Sequence, residues 1–551
     1  MNRLRTRFPL LHAAVVVFAF CAWPVVAVEA KVKVNCNLPG ETISSALILN
    51  VDVTPLVVQV KGTCTENVVI ARDDVTIKTN GIASATIIAA DSAHPVLRLD
   101  GARRIAIDGV IANGITLTGG TNGISASRGS TLDVRNCAVT GNSSDGIVSA
   151  YSSAVSVDSC SITGNRQGVV AADAASLAIT NSTVSGNTST GCLAFRSSQL
   201  RVGQDASGTV AVKPVTVSGN GSNGISITES SAGSVVGGTV TQNTASNIFV
   251  GRGSSGQIGL GSNGLTGGVS ITNGLSNGIA VEGGNATIAF NTITGNALRG
   301  IVLSNAGSAR IGITNTNSVF GGNTISGNGT DGIGLFYSAS AFIGGNTIDS
   351  NGGFGIVIGQ AAADLVGGNA ITNNGQTGVN VRAGSAIIGD PGFGPPTSIN
   401  TISGNGGTGP TTGGIFAFEG GSIFVADATI SNNVGPAVQA FEVGVLEVRG
   451  STAVTVPAAG TTVGALVQFG STLRVRDTAS IVSATSHGIQ ASNNSSVNIR
   501  DGNTVQGNGA GAFGVQCFNS SPMTASAATL TGNLVAVTGA AGASSGCNAF
   551  P

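Results

Sequence analysis

Apolar and polar positions alternate in short bursts along most of this chain. Between Gly146 and Gly168, Ile147, Val155, Val157, Cys160 and Ile162 fall where an inward column is needed, and Ser156, Asp158, Ser161 and Thr163 take outward places between them. Such a period of two predicts short β-strands with one buried face each. The bursts also recur. A phrase of Gly-Asn, a few mixed polar residues, and Gly followed by Ile or Val returns with its second glycine at Gly123, Gly146, Gly168 and Gly191. It returns at Gly278 and Gly300, and again at Gly332, Gly355 and Gly378, always at steps of 22 or 23. Three intervals are longer, at 33 (Gly191 to Gly224), 32 (Gly300 to Gly332) and 36 (Gly378 to Gly414). These read as loops inserted into single coils of a stack, whose contacts run mainly between neighbours. Beyond Gly414 the pattern blurs, yet Gly464, Gly488 and Gly514 keep steps of 24 and 26.

A turn of this length is shorter than the roughly 30 residues of a strand–helix–strand unit. It fits three short strands, each pairing in parallel with its counterpart one coil on, so the fold class is an all-β solenoid of 22–23 residues per coil. Roughly eighteen coils at about 4.8 Å would make a rod on the order of 85 Å long. Glycine at the corners supplies positive φ. Asn142, Asn165, Asn187, Asn220, Asn296, Asn328, Asn374, Asn405 and Asn508 are expected to stack as a ladder of amides bracing one corner. Thr42–Leu49 (TISSALIL) has apolar residues at helical spacing and suits a capping helix over the first coil.

The N-terminus changes the picture of where the protein works. Arg3, Arg5 and Arg7 precede an apolar run from Leu10 to Val28 and small residues suited to cleavage. We read residues 1–30 as a secretory signal peptide, with Ala27 as an alternative cleavage point, and 31–551 as one β-helix domain. Within it, 31–122 would hold the N-terminal cap and first coils, 123–533 the repeat coils, and 534–551 a C-terminal cap. No second apolar stretch is long enough to span a bilayer. The expected destination is periplasmic, extracellular or cell-surface. Cysteine usage fits an oxidising compartment: Cys36 and Cys64 flank the first mature segment and Cys517 and Cys547 the last, which predicts a disulfide clamp at each end. Cys137 and Cys160 are one coil apart and are expected to stack as buried thiols. Charged residues are 9% of the chain and nearly balanced, 25 basic against 26 acidic, which argues against nucleic acid as a partner.

Assembled, these features resemble the right-handed parallel β-helix proteins of the pectate-lyase-like superfamily. The coils 323–333 (NTISGNGTDGI) and 295–301 (GNALRGI) look like repeats of its carbohydrate-binding and sugar-hydrolase branch, and 58–70 (VQVKGTCTENVVI) is similar to the opening coil of such proteins. The resemblance implies a right-handed fold and polysaccharide as the partner; the superfamily includes lyases, hydrolases, epimerases and non-catalytic members. The polygalacturonase segments are largely missing: Asp73-Asp74 lies in the opening coil, and Ser486-His487-Gly488 has Ser where Gly belongs. Pectate lyases use carboxylates to hold Ca²⁺ and an Arg or Lys to remove a proton. The nearest arrangement here is Asp133, Arg135 and Asp158, with Arg135 and Asp158 one coil apart; an exposed ion pair is the competing reading. Another charged group, Arg98, Asp100, Arg103, Arg104 and Asp108, sits near the N-terminal cap.

Outward positions are mostly Ser, Thr and Asn. Thr292 and Thr294, Thr324 and Ser326, Thr401 and Ser403, and Thr429 and Ser431 form hydroxyl rows that would meet a glycan or order water as ice-binding solenoids do; a plain solvated face is the alternative. Phe336, Phe416 and Phe418 are candidate sugar platforms. The sequence reading is therefore a secreted β-helix that binds extracellular polysaccharide or acts as a scaffold without catalysis and without a cofactor. The alternatives are an adhesion protein and a polysaccharide lyase, the latter with Ca²⁺.

Overall fold

The alternating bursts become strands mostly of three to five residues, and each coil contributes one strand to each of three stacks. The computed structural model describes residues 30–525 and 548–550, apart from positions 82, 485 and 501 and the stretches 206–210, 262–263, 315–319, 390–398, 408–411, 457–461, 509–511 and 519–520. In one coil Thr131–Arg135 belongs to sheet 1, Cys137–Thr140 to sheet 2 and Asp145–Ser149 to sheet 3. Each pairs in parallel with the strand one coil on: Leu132 faces Val155, Val139 faces Ile162, and Ile147 faces Val169. The result is a right-handed parallel β-solenoid of about 19 turns. Because pairing is in register, like positions stack. Val134 and Val157 in sheet 1, Val139 and Ile162 in sheet 2, and Ile147 and Val169 in sheet 3 are all fully buried, and their columns form one core along the axis. Each such side chain contributes about 1.5–3 kcal/mol relative to exposure.

The first coil is closed by α1 (Ile43–Leu49), which buries Ile43, Ala46 and Leu47. Thr42 caps it, accepting from the Ser45 N–H at 3.0 Å. The buried Glu66 carboxylate accepts from the N–H groups of Ile43 (2.8 Å) and Ser44 (2.9 Å), which fixes the helix over the stack. Ala30–Asn35 pairs in parallel with Leu56–Lys61, and a Cys36–Cys64 disulfide joins the two segments. Cys517 is disulfide-bonded; Cys547 lies outside the described residues. At that end Asn548–Phe550 pairs in parallel with Pro522–Thr524. Residues 1–29 and most of 534–551 also lie outside the description. Cys137, Cys160 and Cys192 are free and buried, and burial pushes the Cys192 thiol up to about 12.

The corner between sheets 2 and 3 holds the asparagine ladder. The Nδ2 of Asn142 donates to Oδ1 of Asn165 at 2.9 Å, Asn165 to Asn187 at 3.2 Å and Asn187 to Asn220 at 3.0 Å. Each Oδ1 also accepts a backbone N–H from the coil before, and each Nδ2 also reaches a carbonyl, as Asn165 does with Val139 O at 3.0 Å. Both ends of the amide are thereby satisfied in a buried site. The ladder also takes in Asn243, Asn351 and Asn433. Asn508 is outside it: that side chain is exposed and accepts from Gln506. A second ladder, Asn291, Asn323, Asn346, Asn369 and Asn400, braces the corner between sheets 1 and 2.

Two kinds of glycine serve these corners. Along the first ladder the residue before the amide commonly has positive φ, +66° at Gly141 and +65° at Gly164, and Gln242 or Asn373 takes the same conformation elsewhere. The glycine of each Gly-Ile step has ordinary φ. It is required because a Cβ on Gly146 would lie 2.6 Å from Gly168 O and 3.0 Å from the Asn165 amide of the next coil.

One coil exchanges the two residues. Asn247 stands where the Gly-Ile glycine belongs, and Gly274 stands at the next ladder place. Asn247 fills the empty rung, its Oδ1 accepting from Asn243 at 2.9 Å and its Nδ2 donating to Asn296 at 3.0 Å. A Cβ on Gly274 would lie 2.7 Å from that amide.

Insertions gather at the corner between sheets 1 and 2, after Val202, Ile258, Ile311 and Ile388. Each opens with a glycine of positive φ: Gly203 (+82°), Gly259 (+82°), Gly312 (+76°) and Gly389 (+77°). A Cβ on any of them would fall 1.8–2.1 Å from a carbonyl of the next coil. Three are pinched at the base, Lys213 N–H donating to Gly203 O (2.9 Å), Gly267 to Gly259 (3.1 Å) and Gly321 to Gly312 (2.9 Å). These three leave alternate coils, which gives each excursion roughly two strand spacings, ~9.6 Å, along the rod.

The exchange at Asn247 and Gly274 makes a direct test. Asn247→Gly leaves buried amides unpaired and is expected to cost about 1–3 kcal/mol. Gly274→Asn forces two amides into one rung. The double variant restores the arrangement of the other coils, so it should melt closer to the wild type than either single variant, a coupling of about 1 kcal/mol or more.

Candidate functional site

The three sheets present different outer faces. On sheet 3 one outward column carries Val148, Val170, Leu193, Phe249 and Val302, and part of it forms a small apolar cluster of its own around Val170. On sheet 2 the outward positions are hydroxyls. Sheet 1 carries amides and guanidinium groups, and there the surface is hollowed into a trough of about 710 Å³. Its two rims are outward columns one coil apart per residue: Gln199, Ala232, Ser255, Asn285 and Ser308 on one side, Arg201, Ser234, Gln257, Thr287 and Arg310 on the other, with Phe342 at one end. A smaller hollow of about 160 Å³ shares Gln199 and Arg201 and runs up to Asp133.

The hollow has a cause beneath the sheet. The inward residue of these strands shrinks from Leu200 to Gly233, Gly256, Ala286 and Ala309. Ile227 and Val250 reach across from sheet 3 into the vacated space; a Cβ on Gly233 would lie 2.3 Å from Ile227 Cδ1, and one on Gly256 2.7 Å from Val250 Cγ2. Sheet 1 can therefore run closer to the axis here. The pinched insertions after Val202, Ile258 and Ile311 leave the chain at the sheet-2 end of these same strands.

The residues singled out from sequence are placed as follows. Arg135 and Asp158 are register neighbours, but the Arg135 guanidinium pairs with Asp133 at 3.4 Å. Asp158 accepts from Thr180 Oγ1 (2.7 Å), Asn181 Nδ2 (2.8 Å) and Ser159 Oγ (3.0 Å). Partial burial works against its charge, yet these donors outweigh it and hold the carboxyl below its ordinary range. Asp133 alone of the three borders the hollowed surface. Asp73 and Asp74 both bind Arg104, at 3.2 and 2.6 Å, a brace across adjacent coils. The Arg104 hydrogen bond is the main reason the Asp74 carboxyl sits below its usual range. Phe416 is buried under Phe418 and Phe441, and the guanidinium of Arg299 lies 4.8 Å over Phe336, so these rings are covered by their own neighbours. Arg201, Gln257, Asn285, Arg310 and Phe342 escaped the sequence reading. For Gln257 and Arg310 the signal was a shared phrase of small residue, polar residue, Ile and Gly just before an insertion, Gly256-Gln257-Ile258-Gly259 and Ala309-Arg310-Ile311-Gly312. Among the described residues, the cluster of metal-ligand types, Cys36, Cys64 and Glu66, is a disulfide beside the helix-capping carboxylate.

A family described as right handed beta helix region matches residues 58–255, 200–362 and 258–391, more than half of the chain. The chain belongs to that family. Among solved structures this β-helix is similar to the periplasmic alginate epimerase AlgG (15% identical, covering 70% of this chain and 77% of that one, TM-score 0.29). It is similar also to the A-module of the Azotobacter vinelandii mannuronan C-5 epimerase AlgE6 (12%, 79% and 90%, TM-score 0.28) and to tailspike protein 3 of bacteriophage CBA120 (16%, 67% and 62%, TM-score 0.29). No curated protein matches it in sequence. No helix of the β-helix is long and apolar enough to cross a membrane, among the described residues.

His487 has a packing role in the β-helix. Its Nδ1 accepts from the Phe513 N–H at 2.9 Å and its ring stacks on Phe513, centroids 5.5 Å apart. Burial lowers its pKa from the ordinary value, because a ring withdrawn from water disfavours the charged form. A base with a depressed folded pKa binds protons more readily when unfolded. Its contribution is thus present above the unfolded value and lost as pH falls below about 6.5. The last coils should lose protection from hydrogen exchange between about pH 7 and pH 5, and His487→Gln should flatten that dependence.

Proposed function

We propose that this β-helix is a secreted, non-catalytic protein that holds an extracellular polysaccharide along the trough of sheet 1. The lining carries the reading: among seventeen residues there are hydroxyls, amides, two guanidinium groups and one aromatic ring, with no carboxylate, imidazole or amine. Hydroxyls and amides both donate and accept, as sugar hydroxyls require. Phe342 offers a ring to the apolar face of a pyranose. The polar groups repeat once per coil, about every 4.8 Å, a spacing comparable with the length of a pyranose unit, so successive sugars of one chain meet equivalent partners. The Cys36–Cys64 disulfide and the basic-then-apolar N-terminus support export.

A lyase needs a proton acceptor and oxygen ligands for a cation near the sugar. Asp133 is engaged by Arg135, and Asp158 is engaged by three donors, which leaves binding as the better-supported function.

The test is a glycan array followed by calorimetry on each hit. Gln257→Ala and Asn285→Ala should each weaken binding by roughly 2- to 10-fold, the value of one hydrogen bond of about 0.5–1.5 kcal/mol, and no product should form. An array without hits removes the reading and leaves a scaffold or adhesion role. Ca²⁺-dependent release of unsaturated uronate would show that the trough is catalytic.

A further inference from the structure

Sheet 2 differs from its neighbours in a way the trough does not explain. Its outward face consists of two hydroxyl ranks. In the middle of the rod one reads Thr216, Thr239, Ser270, Thr292, Thr324 and Thr347, and the other Ser218, Thr241, Thr272, Thr294, Ser326 and Asp349. The ranks run from Thr116 and Thr118 to Thr429 and Ser431, and only Ala138, Ala370 and Asp349 lack a side-chain hydroxyl of Ser or Thr. A face that merely meets solvent need not be so uniform. The corresponding column of sheet 1 reads Ser234, Gln257, Thr287, Arg310, Phe342 and Asp364.

We propose that sheet 2 is a water-ordering face that binds the surface of ice. Its hydroxyls form a two-dimensional grid, ~4.8 Å apart between coils and ~6.6–6.8 Å apart along a strand, distances close to repeats on the planes of hexagonal ice. In-register parallel pairing keeps the grid regular from coil to coil. Each threonine sets a methyl beside its hydroxyl, so water is anchored by one group and confined by the other. Charge, which would orient water against the lattice, enters only at Asp349, whose carboxylate is taken up by Thr372 (2.6 Å), Ser350 (2.7 Å) and Asn373 (2.9 Å). Thr183, Thr216, Thr292, Thr324 and Thr347 are exposed. The face carries no amide, guanidinium or aromatic group, the groups on which the trough relies, and this favours water over a crystalline polysaccharide as its occupant. The face is separate from the trough, so either function can fail without the other.

Ice-crystal shaping and recrystallisation of a frozen sucrose solution, both followed by microscopy with the full chain, test the proposal. The wild type should facet growing crystals and arrest recrystallisation. Thr292→Lys combined with Thr324→Lys should abolish both effects with the β-sheet circular dichroism intact, while Gln257→Lys on sheet 1 should retain them. If the lysine pair does not fold, Thr292→Val with Thr324→Val takes its place, with the same loss expected. A folded wild type without effect on ice, or a sheet-2 variant as active as the wild type, overturns the proposal. Adsorption to microcrystalline cellulose that the sheet-2 variant loses, in a protein inert toward ice, overturns it too and gives the face to crystalline polysaccharide.

Discussion

Vertical registration between coils is the constraint on which this molecule depends. Parallel pairing, with a single register shift among the described residues at Ile343 and Gly344, puts each side chain directly above its equivalent at about 4.8 Å, so nearly every position becomes a column with one chemical requirement. Inward columns take Val, Ile and Leu because they lie over one another in one buried core. At the corners, where the chain turns and the sheets offer no partner, the column becomes asparagine, the side chain able to donate upward and accept downward at once. The ladder from Asn142 through Asn433 is thus the corner equivalent of the β-sheet hydrogen bonds, and it carries backbone N–H groups that the turns would otherwise leave unpaired.

The same registration lets one chain build three unlike surfaces. A strand has two faces, and once the inward one is committed to the core, the outward one is free to differ from sheet to sheet. Sheet 3 packs apolar residues and rings against each other, sheet 2 repeats hydroxyls, and sheet 1 is hollowed where Gly233, Gly256, Ala286 and Ala309 replace larger inward residues. The trough is therefore made from inside. Its outer residues give it chemistry, and the small residues beneath give it shape.

Much of the fold was legible because repetition multiplies weak signals. A single Gly-Ile step means little, but nine at steps of 22 or 23 define a coil, and Thr42–Leu49 announced the cap that α1 provides. The coil at Asn247 was invisible for a physical reason: its marker glycine had been exchanged with the ladder residue, and the interval from Gly224 to Gly278 concealed both a coil and an insertion. The Gly-Ile glycine marked the period without showing why it must be glycine, because close approach by the next coil leaves no trace in local sequence. The trough was missed for a related reason. Arg135 and Asp158 attracted notice as charged neighbours, whereas Arg201 and Arg310 lie 109 positions apart in the chain and share a column only after the insertions between them are set aside.

The exchange between Asn247 and Gly274 also bears on how such a gene can change. Repeat proteins grow and shrink by unequal recombination, which removes or duplicates whole units and normally leaves each junction acceptable. Here a crossover falling between the two residues would pair an ordinary unit with half of the exchanged one, placing two amides in one rung or none. The stretch from Asn247 to Gly274 is thereby inherited as one piece, since a crossover keeps the rungs filled only when it falls outside it.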